Sequence, residues 1–132
     1  MSKTCINVFD ALYKSRDYTW SDLVKKGKVI AISGTVATDE NHRTLFKGDL
    51  AAQTRYIYET VGKLLEQAGA SFDDVIKTTD YITPQALNDY GKTADIRREF
   101  FKGHYPAATG IVVHSLLSSH WLIEIDFLAV LD

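Results

Sequence analysis

The chain has 132 residues, 45% of them hydrophobic and 24% charged, with a net charge of −2. That length suits one domain over 1–132, which buries roughly two-thirds of the surface its unfolded chain would expose. A single cysteine, Cys5, excludes an intrachain disulfide, and the charge balance offers no basic stripe for nucleic acid. No apolar run nears the ~20 residues of a membrane helix, and Met1–Thr4 leads into no signal-like segment, so a cytoplasmic protein without a membrane partner is expected.

Residues 1–16 follow no clear pattern and are expected to include a loose N-terminal arm. Thr19–Val24 and Lys28–Gly34 read as two strands around a turn at Lys26-Gly27. Residues 37–48 are polar and turn-rich, which predicts a loop with room for a short strand. Asp49 is an N-cap for a helix over 50–68, whose apolar stripe is Leu50, Ile57, Val61, Leu64 and Leu65, with Gly69 as its stop. Val75–Ile82, rich in β-branched and aromatic residues, predicts a strand ended by Pro84. A second helix over 85–101 carries Leu87, Thr93, Ile96 and Phe100 on one face, and Gly103 stops it. Thr109–His114 and His120–Leu131 are expected to be strands joined by the short loop Ser115–Ser119. The order ββ-α-β-α-ββ predicts an α/β (α+β) fold, a single mixed sheet with both helices on one face.

The last strand separates two sets of side chains. Trp121, Ile123, Ile125, Phe127, Ala129 and Leu131 can meet the helices, whereas His120, Leu122, Glu124, Asp126, Leu128 and Val130 point the other way. The second set is half apolar, which suits an interface between copies of the chain better than open water.

No GxGxxG, Walker, CxxC or HExxH pattern occurs. His120 and Glu124 share a strand face, but four residues of strand separate them by roughly 13 Å, too far for one metal ion. His114 and His120 flank the expected hairpin loop and could face each other as a dihistidine site, although polar hairpin ends are commoner. Glu124 and Asp126 lie about 7 Å apart on one face, a spacing that admits a glycosidase pair without the sugar-stacking groove such an enzyme needs.

Several short motifs stand in a specific order: Ser33-Gly34, Gly48-Asp49 with Ala52-Gln53-Thr54-Arg55, Gly69 with Asp74-Val75-Ile76-Lys77-Thr78-Thr79, Tyr105-Pro106-Ala107, and Leu122-Ile123-Glu124-Ile125. From about residue 18 onward the chain resembles the Rid (YjgF/RidA-like) family. The resemblance implies a chorismate-mutase-like fold, a homotrimer with clefts between subunits, and hydrolysis of small enamine or imine metabolites such as 2-aminoacrylate to a keto acid and ammonia, without a cofactor or metal. It puts Glu124 where the family's water-activating glutamate lies, and Ser33 and Gly34 where its backbone lines the cleft. Trp20, Ala94, Tyr105, Ala108, Thr109, Gly110 and His120 fall at substrate-binding positions.

The pattern is broken in places. Ala108 stands where the family has a carboxylate-binding arginine, Trp20 where it has a tyrosine, Ala94 where an asparagine is frequent, and Gly110 where many members have Cys or another small residue. Losing an arginine fork removes a contact worth roughly 1.5–3 kcal/mol. Arg97, Arg98 and Lys77 are the cations that could replace it, and the apolar changes favour a larger or less anionic ligand. The segment from His114 through His120 to Leu122-Ile123-Glu124-Ile125 is similar to the C-terminal hairpin of 2-aminomuconate deaminases. The alternative is a member of the same family that binds a metabolite without catalysis. An RNA-cleaving role suits the acidic balance poorly.

Overall fold

The protein's structure, a computed structural model, describes residues 2–9 and 18–132. Its strands are β1 (Thr4–Ile6), β2 (Leu23–Lys26), β3 (Val29–Thr35), β4 (Val75–Ile82), β5 (Ala107–Val112) and β6 (Ile123–Val130). They form one sheet in the order β1-β2-β3-β6-β4-β5. Only β4 and β5 run parallel. Two α-helices, α1 (Leu50–Gln67) and α2 (Ala94–Phe101), cover one face.

Each element has a local cause. The Asp49 side chain accepts a hydrogen bond from the Ala52 amide at 3.0 Å and starts α1. The stripe Leu50, Ile57, Val61, Leu64 and Leu65 is buried, and Gly69, at φ +80°, ends the helix. In β6, Ile123, Ile125, Phe127 and Ala129 are buried and alternate with half-buried residues. This is the chain's strongest strand alternation, and the sheet places it centrally between β3 and β4. β5, with the sequence Ala-Ala-Thr-Gly-Ile-Val, is exposed along its whole length and takes the edge.

The sheet order corrects the expected C-terminal hairpin. β5 and β6 are not neighbours, because β4 lies between them. A strand that follows β4 through a helical crossover returns parallel to it, and β4's outer edge is where it fits. His114 and His120 therefore do not flank a hairpin, and the dihistidine reading loses its basis. Other boundaries differ as well: β5 runs over Ala107–Val112 and β6 over Ile123–Val130, against the expected Thr109–His114 and His120–Leu131. The strand expected over Thr19–Val24 runs instead over Leu23–Lys26, because pairing with β3 sets its register and Gly27, at φ +61°, makes the turn. The helix expected over 85–101 is a 3₁₀ segment (Pro84–Thr93) followed by α2; Ala86 is buried there, and Leu87 stays 54% exposed. Within the expected N-terminal arm, Thr4–Ile6 pairs with β2, while residues 1 and 10–16 lie outside the described residues.

The core is aromatic at its centre. The Tyr58 ring meets Phe72, Phe100, Phe101 and Phe127 at centroid distances of 5.3–5.7 Å. Its hydroxyl is buried with no hydrogen-bond partner among the described residues, and burial pushes the phenol well above its ordinary range. An unsatisfied buried hydroxyl is unfavourable, so Tyr58→Phe is expected to stabilise the fold by about 1 kcal/mol. Urea denaturation checks the sign, and destabilisation would show that the hydroxyl is bonded in solution.

Candidate functional site

The site begins at an irregularity in β3. Ile32 pairs with Phe127, but Thr35 pairs with Ile125, so β3 carries one extra residue there. The bulge holds Ser33 and Gly34. The Ser33 amide donates to the Asp22 carbonyl at 2.8 Å, and its hydroxyl donates to the Ser21 carbonyl at 2.6 Å. Gly34 is thereby laid under Glu124. A Cβ at position 34 would stand 2.7 Å from the Glu124 Cδ and 2.8 Å from its Oε2. Space, and not backbone angle, makes this residue glycine. Gly34→Ala is expected to displace the Glu124 carboxyl and to destabilise the protein by about 1–3 kcal/mol. The ¹³C carboxyl resonance of Glu124 and a denaturation curve report the two effects, and an unmoved resonance would contradict the close packing.

Glu124 faces a cleft of about 340 Å³ lined also by Tyr18, Trp20, Gly34, Val36, His42, Leu117, Ser118 and Trp121. The rings form a chain, with centroids 4.9 Å apart for Tyr18–Trp20, 6.4 Å for Tyr18–His42 and 6.4 Å for His42–Trp121. No donor among the described residues bonds the Glu124 carboxyl. Burial, and then the nearby Asp126 carboxylate, raise its pKa above the ordinary glutamate value. Such a carboxyl is half-desolvated and poised to take a proton. Asp126 has a different setting: it accepts a hydrogen bond from the Tyr81 hydroxyl at 3.0 Å and does not line the cleft. The two acids thus do not form a matched pair across one groove.

The segment carrying Trp121 into β6 is fixed from α1. Gln53, fully buried, donates to the Leu45, Phe46 and His120 carbonyls at 3.3, 3.3 and 3.0 Å and accepts from the Leu122 amide at 2.9 Å. One side chain thereby satisfies backbone groups of two loops and sets the approach to Glu124.

Of the residues singled out in the sequence, Trp20, Gly34 and Glu124 share this cleft. Ser33 is adjacent through the bulge, with its hydroxyl turned to Ser21. His120 is exposed and absent from the lining. Tyr105, Ala108, Thr109 and Gly110 lie on or beside exposed β5, and Ala94 starts α2, so within one chain they do not line the Glu124 cleft. Tyr18, His42, Leu117, Ser118 and Trp121 were not anticipated there. Alternation puts Trp121 in the helix-facing set, but it precedes β6, so the strand's period does not apply to it. His42 carried no sequence signal; it reaches the cleft from a loop position at φ +64°. Among the described residues no group of three or more His, Cys, Asp or Glu could hold a metal ion, and no helix is long and apolar enough to cross a membrane.

A mixed sheet with two helices on one face defines a small α/β protein of chorismate-mutase-like fold, and a carboxylate set in an aromatic cleft at a β-bulge is its candidate site. The chain belongs to the Rid (YjgF/RutC) family, whose sequence profile, described as Endoribonuclease L-PSP, matches residues 13–131. A RutC family protein of Pyrococcus abyssi (strain GE5 / Orsay) is 34% identical over 110 residues, which are 83% of this chain and 84% of that one. The crystal structure of YyfA from Yersinia pestis, a protein of unknown function of the conserved Rid family, is 27% identical with a TM-score of 0.82, covering 98% of this chain and 100% of that one. E. coli TdcF, crystallised with bound serine, is 27% identical with a TM-score of 0.76, covering 87% and 90% of the two chains.

Proposed function

We propose that this protein is a cofactor-independent hydrolase of a small enamine or imine metabolite, with Glu124 holding the attacking water. The observation that carries the reading is the Glu124 carboxyl itself: half-buried, without a donor, raised in pKa and facing an aromatic cleft. Hydrolysis of a C=N bond needs a group that positions water and takes its proton as the bond to carbon forms. The rings of Trp20, Tyr18 and Trp121 suit a flat, conjugated substrate. TdcF binds serine, which supports an amino-acid-sized ligand in this fold.

The working site in this reading lies between copies of the chain, in a homotrimer. The exposed β5 edge, with Tyr105 57%, Ile111 41% and Val112 45% exposed, leaves apolar surface for a neighbour to cover. A neighbour's β5 would bring Ala94, Tyr105, Ala108, Thr109 and Gly110 to the open side of the Glu124 cleft. Ala108 supplies no arginine there, which counts against 2-aminoacrylate, and the likeness of the segment from His114 to Ile125 to 2-aminomuconate deaminases makes 2-aminomuconate the second candidate substrate. Ammonia release should be measured with both compounds, and mass by light scattering. The expected results are turnover faster with 2-aminomuconate and three times the chain mass. A monomer at micromolar concentration would overturn the shared site. Binding without turnover of any enamine or imine would make the protein a metabolite-binding member of the family.

A further inference from the structure

Among the described residues, Asp80 is the one buried carboxylate, and it sits on the helix-facing side of the sheet, opposite to Glu124. Its Oδ2 accepts a hydrogen bond from the Tyr90 hydroxyl at 2.6 Å and stands 3.6 Å from Arg97 Nη1. Arg97 in turn donates from Nη1 to the Thr93 hydroxyl at 2.5 Å, and its guanidinium carbon lies 5.4 Å from the centre of the Tyr90 ring. A carboxylate, a hydroxyl and an aromatic face thus hold the fork in one orientation. A buried ion pair of this kind is seldom worth its desolvation as a stability device. The fork is nevertheless not used up. Its side chain keeps 24% exposure, and among the described residues its remaining N–H groups make no hydrogen bond.

Through Asp80 and Tyr90 the fork adjoins the edge strand β5. Asp80 pairs with Gly110 in the parallel ladder, and a Cβ at Gly110 would come 3.1 Å from the Tyr90 hydroxyl. Gly110 therefore leaves room for Tyr90, and Ala108 and Gly110 put no long side chain over the fork. The other cations near this edge are committed or misplaced. Arg98 pairs with Asp95 on the outer surface of α2, and Lys77 donates to Thr109 on the sheet face away from the helices.

We propose that Arg97, oriented by Asp80, Thr93 and Tyr90, is a binding site for the carboxylate of an anionic metabolite at the β5 edge. A planar carboxylate matches the fork with two parallel hydrogen bonds, and the Tyr90 hydroxyl borders the same space. As part of the cleft, this site rests on the reading above that a neighbour's β5 closes it. It sets the anion back from the strand, behind Tyr90, which suits a ligand longer than a three-carbon acid.

The test uses the full-length chain and two probes of equal shape, 2-oxobutyrate and 2-oxobutyramide, followed by saturation-transfer NMR. The native protein is expected to bind the anion at least about tenfold more tightly than the amide. Arg97→Gln should abolish that preference, and Arg97→Lys, which keeps the charge without the fork, should fall between. Arg97→Gln leaves Asp80 buried without its cation, so the double variant Asp80→Asn with Arg97→Gln, which removes both charges, guards against misfolding. A native protein without preference for the anion, or a folded Arg97 variant that binds 2-oxobutyrate as the native chain does, would overturn the site. The two readings fail separately. Loss of anion preference on Arg97→Gln, with no enamine turned over by the native chain, leaves the anion site standing and removes the hydrolase. Turnover with an unchanged KM in the Arg97 variants does the reverse.

Discussion

Glu124→Gln is expected to lower kcat on an enamine or imine substrate by about 10²–10⁴-fold while KM changes little. Glutamine keeps the shape and one acceptor atom but can neither carry the negative charge nor take the proton from attacking water. Only the transition state needs that charge, so ground-state binding survives. Trp20→Ala should give the opposite split, with KM raised and kcat little changed, because an aromatic wall holds substrate and transition state alike. The pH profile adds a second check. The base works ionised, and burial and Asp126 both raise the Glu124 pKa, so activity should fall as pH drops through a value above the ordinary glutamate range. Asp126→Asn removes one of those two causes and should move this acidic limb to lower pH. A limb that stays in place would mean that Asp126 does not act on Glu124, and full activity in Glu124→Gln would remove Glu124 from the mechanism.

Gln53→Leu is expected to cost about 3–5 kcal/mol of stability, a large effect for a single substitution. Leucine fills a similar volume but leaves the Leu45, Phe46 and His120 carbonyls and the Leu122 amide without the partner that Gln53 gives them. Their desolvation is not repaid by the added apolar contact. Gln53→Glu should be no better: it can still accept from Leu122, but it points an acceptor at three carbonyls. Activity should suffer as well, because the clamp fixes the segment that carries Trp121 and leads into Glu124. Urea unfolding with an unchanged m-value is the measurement. A loss below about 1 kcal/mol would show that the loops find other partners.

Much of the frame was legible in the chain because its signals are local. Asp49, the stripe from Leu50 to Leu65 and Gly69 define α1 within a residue or so, since capping and a 3.6-residue period involve only neighbours in sequence. β4 and the buried set Ile123, Ile125, Phe127 and Ala129 were equally clear, because a half-buried strand writes its period directly into the sequence. The helix after Pro84 was legible only as helical. Whether a short segment closes as 3₁₀ or α depends on what it packs against, and here Ala86 and Tyr90 must meet the core and Asp80.

The sequence by itself determined most of the elements, the order from β2 onward and, through the order of its motifs, Glu124 as the acid to examine. The tertiary structure decided what surrounds it. That β6 enters between β3 and β4 and leaves β5 at the edge is a choice among pairings that no local pattern encodes; it is made by burying the most apolar strand on the helices. The same choice gathers Tyr18, His42 and Trp121 around Glu124 and puts Gly34 beneath it. It also sets Arg97, through Asp80, next to a strand of alanines and glycine. Residues so far apart in the chain interact only after the core has fixed their distances, and a one-dimensional pattern holds no record of those distances.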